Sequence, residues 1–282
     1  MISAAARVEW RGMENFAPNS LPQNAAASLE NGILFVSVEE CKSTNDEAKN
    51  LLEKLPAPFV VLARRQTAGR GRLERSWFAE EGASICMSAA ADIPNGAALL
   101  ESATVRAGVA VCAALSAVCA QKLFLKWPND LYSADGKKIA GMLAELHKVG
   151  GKYKIIFGIG INYDLSLCKS APPPDIAQKC GDLKPMLAAE TPLGDVARIA
   201  ARAACAELSA ADLSALGRFD EYDFLRGKKI DAELGGRRFS GSARGINGRG
   251  NLLVRLEDGR EIALNSGEAT LHSADFSGGQ RG

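Results

Sequence analysis

The chain has 282 residues, a formal net charge of +1, 47% hydrophobic and 24% charged residues. That length accommodates one large domain and a small one, and the balanced charge gives no global field for nucleic acid or an anionic membrane, so anion binding must come from local cation clusters. Two histidines (His147 and His272) and seven cysteines without a Cys-x-x-Cys pair argue against a histidine-rich metal site and a serine–histidine mechanism, and read as buried thiols in a reducing cytoplasm.

Residues 1–32 are rich in Ala, Asn, Pro and Ser without period and read as a loose leader. A cationic start followed by an apolar core is missing, so no signal peptide is evident. Ile33 to Val38 reads as a strand. Ser43-Thr44-Asn45-Asp46-Glu47 then opens a helix: Thr44 with Glu47 forms a capping box, Asp46 suits the positive helix end, and Ala48, Leu51, Leu52 and Leu55 form its apolar face. After the apolar run Phe59 to Ala63 comes Gln66-Thr67-Ala68-Gly69-Arg70-Gly71-Arg72-Leu73-Glu74-Arg75-Ser76-Trp77, followed by a second apolar run, Ala83 to Ala91. Glycine permits close backbone approach, and arginine offers a planar fork of donors to carboxylate or phosphate. The stretch is therefore a loop that closes on an anion or a solvated surface loop. It is not a Walker loop, because no Gly-Lys-Ser/Thr follows at the required spacing.

Pro94-Asn95-Gly96 is a turn, and Ala97 to Cys119 reads as a long helix. Its small-apolar run, Ala107 to Ala120, is shorter than the roughly 20 residues a bilayer span needs, which indicates a core helix. Leu123 to Lys126 starts a strand that Trp127-Pro128-Asn129-Asp130 interrupts, since proline cannot donate to a ladder; Leu131 to Ser133 resumes it. Asp135-Gly136 is a hairpin turn, and Lys138 to Leu146 is the return strand, with Lys138 on the face of Ala140, Met142 and Ala144 and Lys137 on the opposite, solvated face. Gly150-Gly151 turns into a strand from Lys154 to Ile161, whose Gly158 and Gly160 leave room for a ligand or a close backbone. An irregular connector at Ala171-Pro172-Pro173-Pro174 precedes helices over Leu193 to Leu208 and Asp212 to Leu225. From Gly227 the turn dipeptides Gly235-Gly236, Asn247-Gly248 and Asp258-Gly259 recur about every 12 residues, the grammar of a small all-β domain. The expected organisation is an α+β domain over residues 33–226, a small β domain over 227–272 and a tail over 273–282.

Three motifs in order carry a resemblance to the biotin protein ligases. They are the glycine–arginine loop, Lys126-Trp127-Pro128-Asn129-Asp130 followed by Lys138-Ile139-Ala140-Gly141, and Gly158-Ile159-Gly160-Ile161-Asn162, with an upstream Ser43-Thr44-Asn45. The resemblance runs from about Ser37 to Glu268. It implies a mixed-sheet catalytic domain of the biotin/lipoate ligase type closed by an SH3-like barrel, whose ending Ser266-Gly267-Glu268 fits. Some members carry an N-terminal helix-turn-helix and repress transcription. No paired helical pattern precedes Ser43, so the expectation is a monofunctional ligase without DNA binding or membrane attachment, as a monomer or homodimer.

The resemblance implies a two-step reaction. Biotin carboxylate attacks the α-phosphate of ATP to give biotinyl-5′-AMP, and a lysine of a biotin carboxyl carrier domain then takes the biotinyl group. Two like charges about 4 Å apart repel by ~4 kcal/mol at an effective dielectric near 20, so cations must cancel that repulsion. By resemblance, Lys138 bridges carboxylate and α-phosphate, and Arg70 and Arg72 cover biotin and phosphates, with Gly69 and Gly71 letting the loop fold over. Ser43, Thr44, Asn45 and Gln66 ring the ureido head, Trp77 is an apolar wall, and Gly141 and Gly158 belong to the binding surface. Asn129 and Asn162 are candidates for ATP and Asp130 for Mg²⁺; all three equally fit a structural role at a bulge and a strand end. One departure is Glu74, where the family usually has glycine; it is expected to pair with Arg72 or Arg75 and act as a mild brake on closure. The alternatives are a lipoate or octanoate ligase or transferase of the same superfamily, which has no ureido group to satisfy, and a non-catalytic biotin sensor.

Overall fold

A computed structural model of the chain describes residues 21–22, 25–169, 177–234, 237–265 and 268–271. The expectations for residues 1–20, the Ala171–Pro174 connector, Gly235-Gly236, Ser266-Gly267 and the tail lie outside the described residues, as does the side chain of Glu74.

Among the described residues the strands form two sheets. The larger runs in the order β1 (Ala26–Glu30), β2 (Ile33–Cys41), β3 (Phe59–Gln66), β4 (Ser84–Asp92), β8 (Lys152–Asn162), β7 (Lys138–Val149), β6 (Asp130–Tyr132) and β5 (Phe124–Lys126). Only β2 and β3 pair in parallel, so most neighbours are joined by short reversals. Residues 26–30 were expected in the loose leader. They instead form β1, antiparallel to β2 through a turn in which Asn31 and Gly32 take positive φ.

One face of this sheet packs on α2 (Ala97–Ser116) and α3 (Leu193–Ser209) around Ile85, Met87, Phe157, Ile159, Met142 and Leu115. By length and composition α2 could cross a membrane, but 56% of that stretch is buried in the fold. The second helix expected over Asp212 to Leu225 is two short turns, Ser214–Gly217 and Phe219–Tyr222. The opposite sheet face carries α1 (Thr44–Leu51), whose Ala48, Leu51 and Leu52 join Leu34, Val36, Phe59 and Val61 in a smaller core.

The smaller sheet runs β12 (Glu261–Leu264), β11 (Leu252–Leu256), β10 (Arg237–Ile246), β9 (Lys229–Leu234) and β13 (Glu268–Leu271), all antiparallel. It is tied to the large domain by the buried Trp127, whose Nε1 donates to Gly250 O at 2.9 Å. Trp127-Pro128-Asn129-Asp130 is thus a reversal: β6 runs antiparallel to β5 and does not resume it. The Trp127–Pro128 bond is cis.

Asp223, at the junction of the two units, accepts from Leu225 N at 2.8 Å through Oδ1, while Oδ2 is buried without a partner. Burial pushes its carboxyl up to about 6. The native state then binds this proton more tightly than the unfolded chain, so the contribution favours folding at low pH and fades as pH rises through about 6. Asp223→Asn keeps the acceptor for Leu225 and removes the buried charge. It is expected to stabilise the protein by about 1–2 kcal/mol at pH 8, and by almost nothing at pH 4. Urea denaturation at both pH values checks this; an equal shift at both contradicts it.

Candidate active site

The site lies on the sheet face opposite α2. Registers Cys86↔Gly160, Ser88↔Gly158, Gly141↔Gly160 and Leu143↔Gly158 put Cys86, Ser88, Gly141, Gly158 and Gly160 on one face, because paired residues share a side and alternate along each strand. Three glycines on neighbouring strands leave a trough. Side chains from α1 and the glycine–arginine loop fill it. A Cβ on Gly158 would run into the Asn45 amide, and one on Gly160 into the Trp77 indole; one on Gly141 would lie 3.0 Å from Trp77 Cζ3 and 3.3 Å from Lys138 Nζ.

Lys138 reaches this face through a bulge. Leu131 pairs with Ala140 but Tyr132 with Lys138, so Ile139 is an extra residue in β7. An extra residue reverses the side on which the preceding side chain emerges. Lys138 therefore stands beside Gly141, not on the face of Ala140, Met142 and Ala144 as simple alternation predicts; Ala140 and Met142 are buried in the α2 core. Its Nζ is 2.8 Å from Asp130 Oδ1 and 5.8 Å from the Trp77 ring centroid. A strap fixes its backbone: Lys138 N donates to Lys179 O at 2.8 Å and Gly181 N to Lys138 O at 3.0 Å. Asn162 Nδ2 donates to Lys138 O and Gly181 O at 3.1 and 3.2 Å. Asn162 thus holds the strand carrying the lysine.

Between Gln66 and Trp77 the backbone folds back on itself. Trp77 N donates to Gly69 O at 2.9 Å and Gly71 N to Arg75 O at 2.7 Å, while the exposed Leu73 takes φ 54°. Arg70 Nη1 and Nη2 donate to Asp46 Oδ2 and Oδ1 at 2.7 and 2.6 Å, with Glu145 Oε1 3.8 Å from Nη2. This guanidinium holds the Asp46 carboxyl below the usual carboxylate range. Arg72 Nη1 donates to Asn129 Oδ1 at 3.2 Å, and Asn129 Nδ2 to Met142 O at 2.8 Å. The two arginines therefore sit at different parts of the trough, Arg70 over α1 and Arg72 near the β5–β6 reversal. Arg72 also lines a cleft of about 140 Å³ with Trp127, Pro128, Leu143, Gly250 and Asn265, where the two sheets meet.

The start of α1 differs from the expected capping box. Ser43 is the N-cap, is buried and makes no side-chain cap bond. Thr44 N donates to Gln66 Oε1 at 2.8 Å, and Thr44 Oγ1 lies 3.2 Å from the same oxygen. The helix end is thus closed by a side chain from β3, which brings Gln66 to Thr44 and Asn45. Beneath them Ser88 Oγ lies 2.7 Å from Thr44 Oγ1 and 2.6 Å from Asn45 Oδ1, and Asn45 Nδ2 donates to Glu145 Oε1 at 2.8 Å.

Ser88 and Glu145 were missed by the sequence reading. Ser88 sits in an unbroken small-apolar run. Glu145 is four residues beyond Gly141, on the same face by alternation, and that placement could have been read. Asp130 is engaged with Lys138, and among the described residues no group of three His, Cys, Asp or Glu side chains could hold a metal ion.

Residues 37–162 match the Biotin/lipoate A/B protein ligase family, and residues 227–271 match the Biotin protein ligase C terminal domain. The Escherichia coli bifunctional ligase/repressor BirA is 30% identical over 244 residues, covering 83% of this chain and 72% of that protein. The Mycobacterium tuberculosis biotin–[acetyl-CoA-carboxylase] ligase is 31% identical over 227 residues, covering 74% of this chain and 77% of that protein. Among solved structures, the Aquifex aeolicus biotin protein ligase in complex with biotin and ATP superposes with a TM-score of 0.68 at 25% identity, covering 84% of this chain and 98% of that one. Fold, paired domains, the lysine set on a glycine-floored trough and these likenesses agree: the chain belongs to the biotin protein ligase family.

Proposed function

We propose that this chain is an ATP-dependent ligase that activates biotin as biotinyl-5′-AMP and transfers it to a lysine of a biotin carboxyl carrier domain. The observation that carries the proposal is Lys138, turned by the bulge onto the trough of Gly141, Gly158 and Gly160, with hydroxyls and amides at one end of that trough. Asn45 and Trp77 cover the glycine floor, so a fused-ring acid would seat against those two side chains, with the polar Thr44 and Gln66 at one end and Lys138 beside it. A carboxylate oxygen of biotin attacks the α-phosphorus, the bond to pyrophosphate breaks, and Lys138 offsets the charge of the two approaching anions. The acceptor lysine amine then attacks the acyl carbon and AMP leaves. Arg70 covers the biotin end and Arg72 the nucleotide end. Asn129 positions Arg72, and Asn162 positions Lys138.

Asp130 is the carboxylate that would hold a Mg²⁺ ion here, and the ion would supply neutralisation of phosphate charge. The Aquifex aeolicus protein binds biotin and ATP, and the Leishmania major biotin protein ligase, 25% identical with a TM-score of 0.54, binds biotinyl-5-AMP. All seven cysteines are free, and burial raises the thiols of Cys41, Cys86, Cys112 and Cys205 to about 12, which suits the cytoplasm. The β1 edge suits a homodimer as well as a monomer, whereas Phe224 N donates to Leu125 O at 3.1 Å and covers the β5 edge.

A lipoate or octanoate substrate is disfavoured by the polar end. Thr44 and Gln66 would face a dithiolane or an alkyl chain, which offers neither of them a hydrogen-bond partner. Incubation with labelled biotin, ATP and a recombinant carrier domain tests the proposal. The expected product is a stable amide on the carrier lysine, formed only with ATP. Transfer of lipoate in preference to biotin, or biotin binding without ATP consumption, contradicts it.

A further inference from the structure

Resting on that reading of the trough, we infer that Glu145 and Ser88 are positioning residues that set the donor–acceptor polarity of the biotin head pocket. A proton count along the buried chain carries the inference. Glu145, when ionised, can only accept, so the Asn45 amide nitrogen must face it, as the 2.8 Å contact from Nδ2 to Oε1 shows. The same amide then turns Oδ1 toward Ser88, 2.6 Å away. An amide oxygen has no proton, so Ser88 gives its single proton to Asn45. Its oxygen can then accept from Thr44 Oγ1, 2.7 Å away, and the other acceptor within reach of the Thr44 proton is Gln66 Oε1 at 3.2 Å, also inside the network. With its one proton spent inward, Thr44 Oγ1 is left as an acceptor toward anything else that enters.

Gln66 is fixed by a parallel constraint. The backbone N–H of Thr44 is a donor and holds Gln66 Oε1 at 2.8 Å. Gln66 Nε2 therefore faces away from Thr44 and toward Gly69, where a Cβ would collide with it. The pocket thus presents an acceptor, Thr44 Oγ1, beside a donor, Gln66 Nε2. That pair matches a cyclic urea, with N–H next to C=O, and mismatches a dithiolane or alkyl chain. Ser88 is fully buried and the polar side chains here come from four elements, α1, β3, β4 and β7. A one-sided carboxylate at the end of the chain is what makes its direction unique.

Arg70 Nη2 and His147 Nε2 also face Glu145, at 3.8 and 3.7 Å.

The test is steady-state kinetics of Glu145→Gln, Ser88→Ala and the double variant, with biotin and ATP varied separately. A glutamine at 145 can donate as well as accept, so the chain loses its direction; an alanine at 88 cuts it. Each single variant is expected to raise KM for biotin by at least tenfold, while KM for ATP and kcat at saturating biotin stay within threefold. The double variant is expected to lie within threefold of Ser88→Ala, because both act through one chain. A folded Glu145→Gln or Ser88→Ala protein with wild-type KM for biotin overturns the inference, as does a fully multiplicative double variant. Failure of the wild-type protein to use biotin would instead overturn the ligase reading itself.

Discussion

Replacing Lys138 by alanine is expected to abolish most adenylate formation while leaving the protein folded. The side chain is a quarter exposed and stands beside Gly141, so truncation opens no core cavity. On the proposed reading, its loss removes the cation from the point where carboxylate and α-phosphate meet, and it leaves Asp130 without the lysine it pairs with. Removing one partner of a desolvated charge pair costs ~2–5 kcal/mol, and a carboxylate added to two converging anions puts the effect at the upper end. Biotin-dependent pyrophosphate release should fall by about a hundredfold or more, since each ~1.4 kcal/mol of barrier is tenfold in rate. Lys138→Arg restores charge but not shape, because the bulkier fork must fit where Nζ already lies 3.3 Å from a Gly141 Cβ position; it should recover only part of the rate. Near wild-type release from Lys138→Ala would show that the bulge serves some other purpose.

The second large effect is expected from Gly158→Ala. The new methyl group would occupy the space of the Asn45 amide, which donates to Glu145 and accepts from Ser88. Asn45 must move, and α1 with it, because Asn45 and Thr44 are consecutive and both buried. Overpacking of this kind costs roughly 1–3 kcal/mol, and the displaced amide leaves buried polar groups without partners. Biotin affinity should drop by more than about thirtyfold, and Tm should fall by a few degrees for a chain of this size. Isothermal titration with biotin, with no ATP present, separates this from any effect on the nucleotide. Unchanged biotin affinity would mean that Asn45 and the glycine floor lie outside the pocket.

The sequence made some of this legible and hid the rest for physical reasons. Turn chemistry placed the reversals at Asp135-Gly136 and Gly150-Gly151, where the glycines take positive φ. Apolar period placed α1, α2 and α3. Lys138 was singled out by resemblance, and its face was misjudged, since a one-residue bulge leaves no mark in the alternation of Lys138-Ile139-Ala140-Gly141. The capping box at Thr44 and Glu47 was a sound local reading that a distant side chain, Gln66, overrode by taking the same N–H. Trp127-Pro128 was read as an interruption within one strand; the register shows two strands, a distinction local propensity does not make. Ser88 was invisible because its role depends on which strand lies next to β4. Leader residues 26–30 pair with β2 through backbone bonds, with Ala27 against the smaller core and Glu30 paired with Arg198 and Arg202, which composition does not reveal.

The central claim is that biotin carboxylate and ATP are brought together over Lys138. Biotin-dependent exchange of labelled pyrophosphate into ATP tests it most directly, because it reports the first step without any acceptor protein. The expected result is exchange that requires biotin, is not supported by lipoate or octanoate, and falls by about a hundredfold or more in Lys138→Ala. Exchange that proceeds equally well without biotin, or that is indifferent to Lys138, would contradict the account.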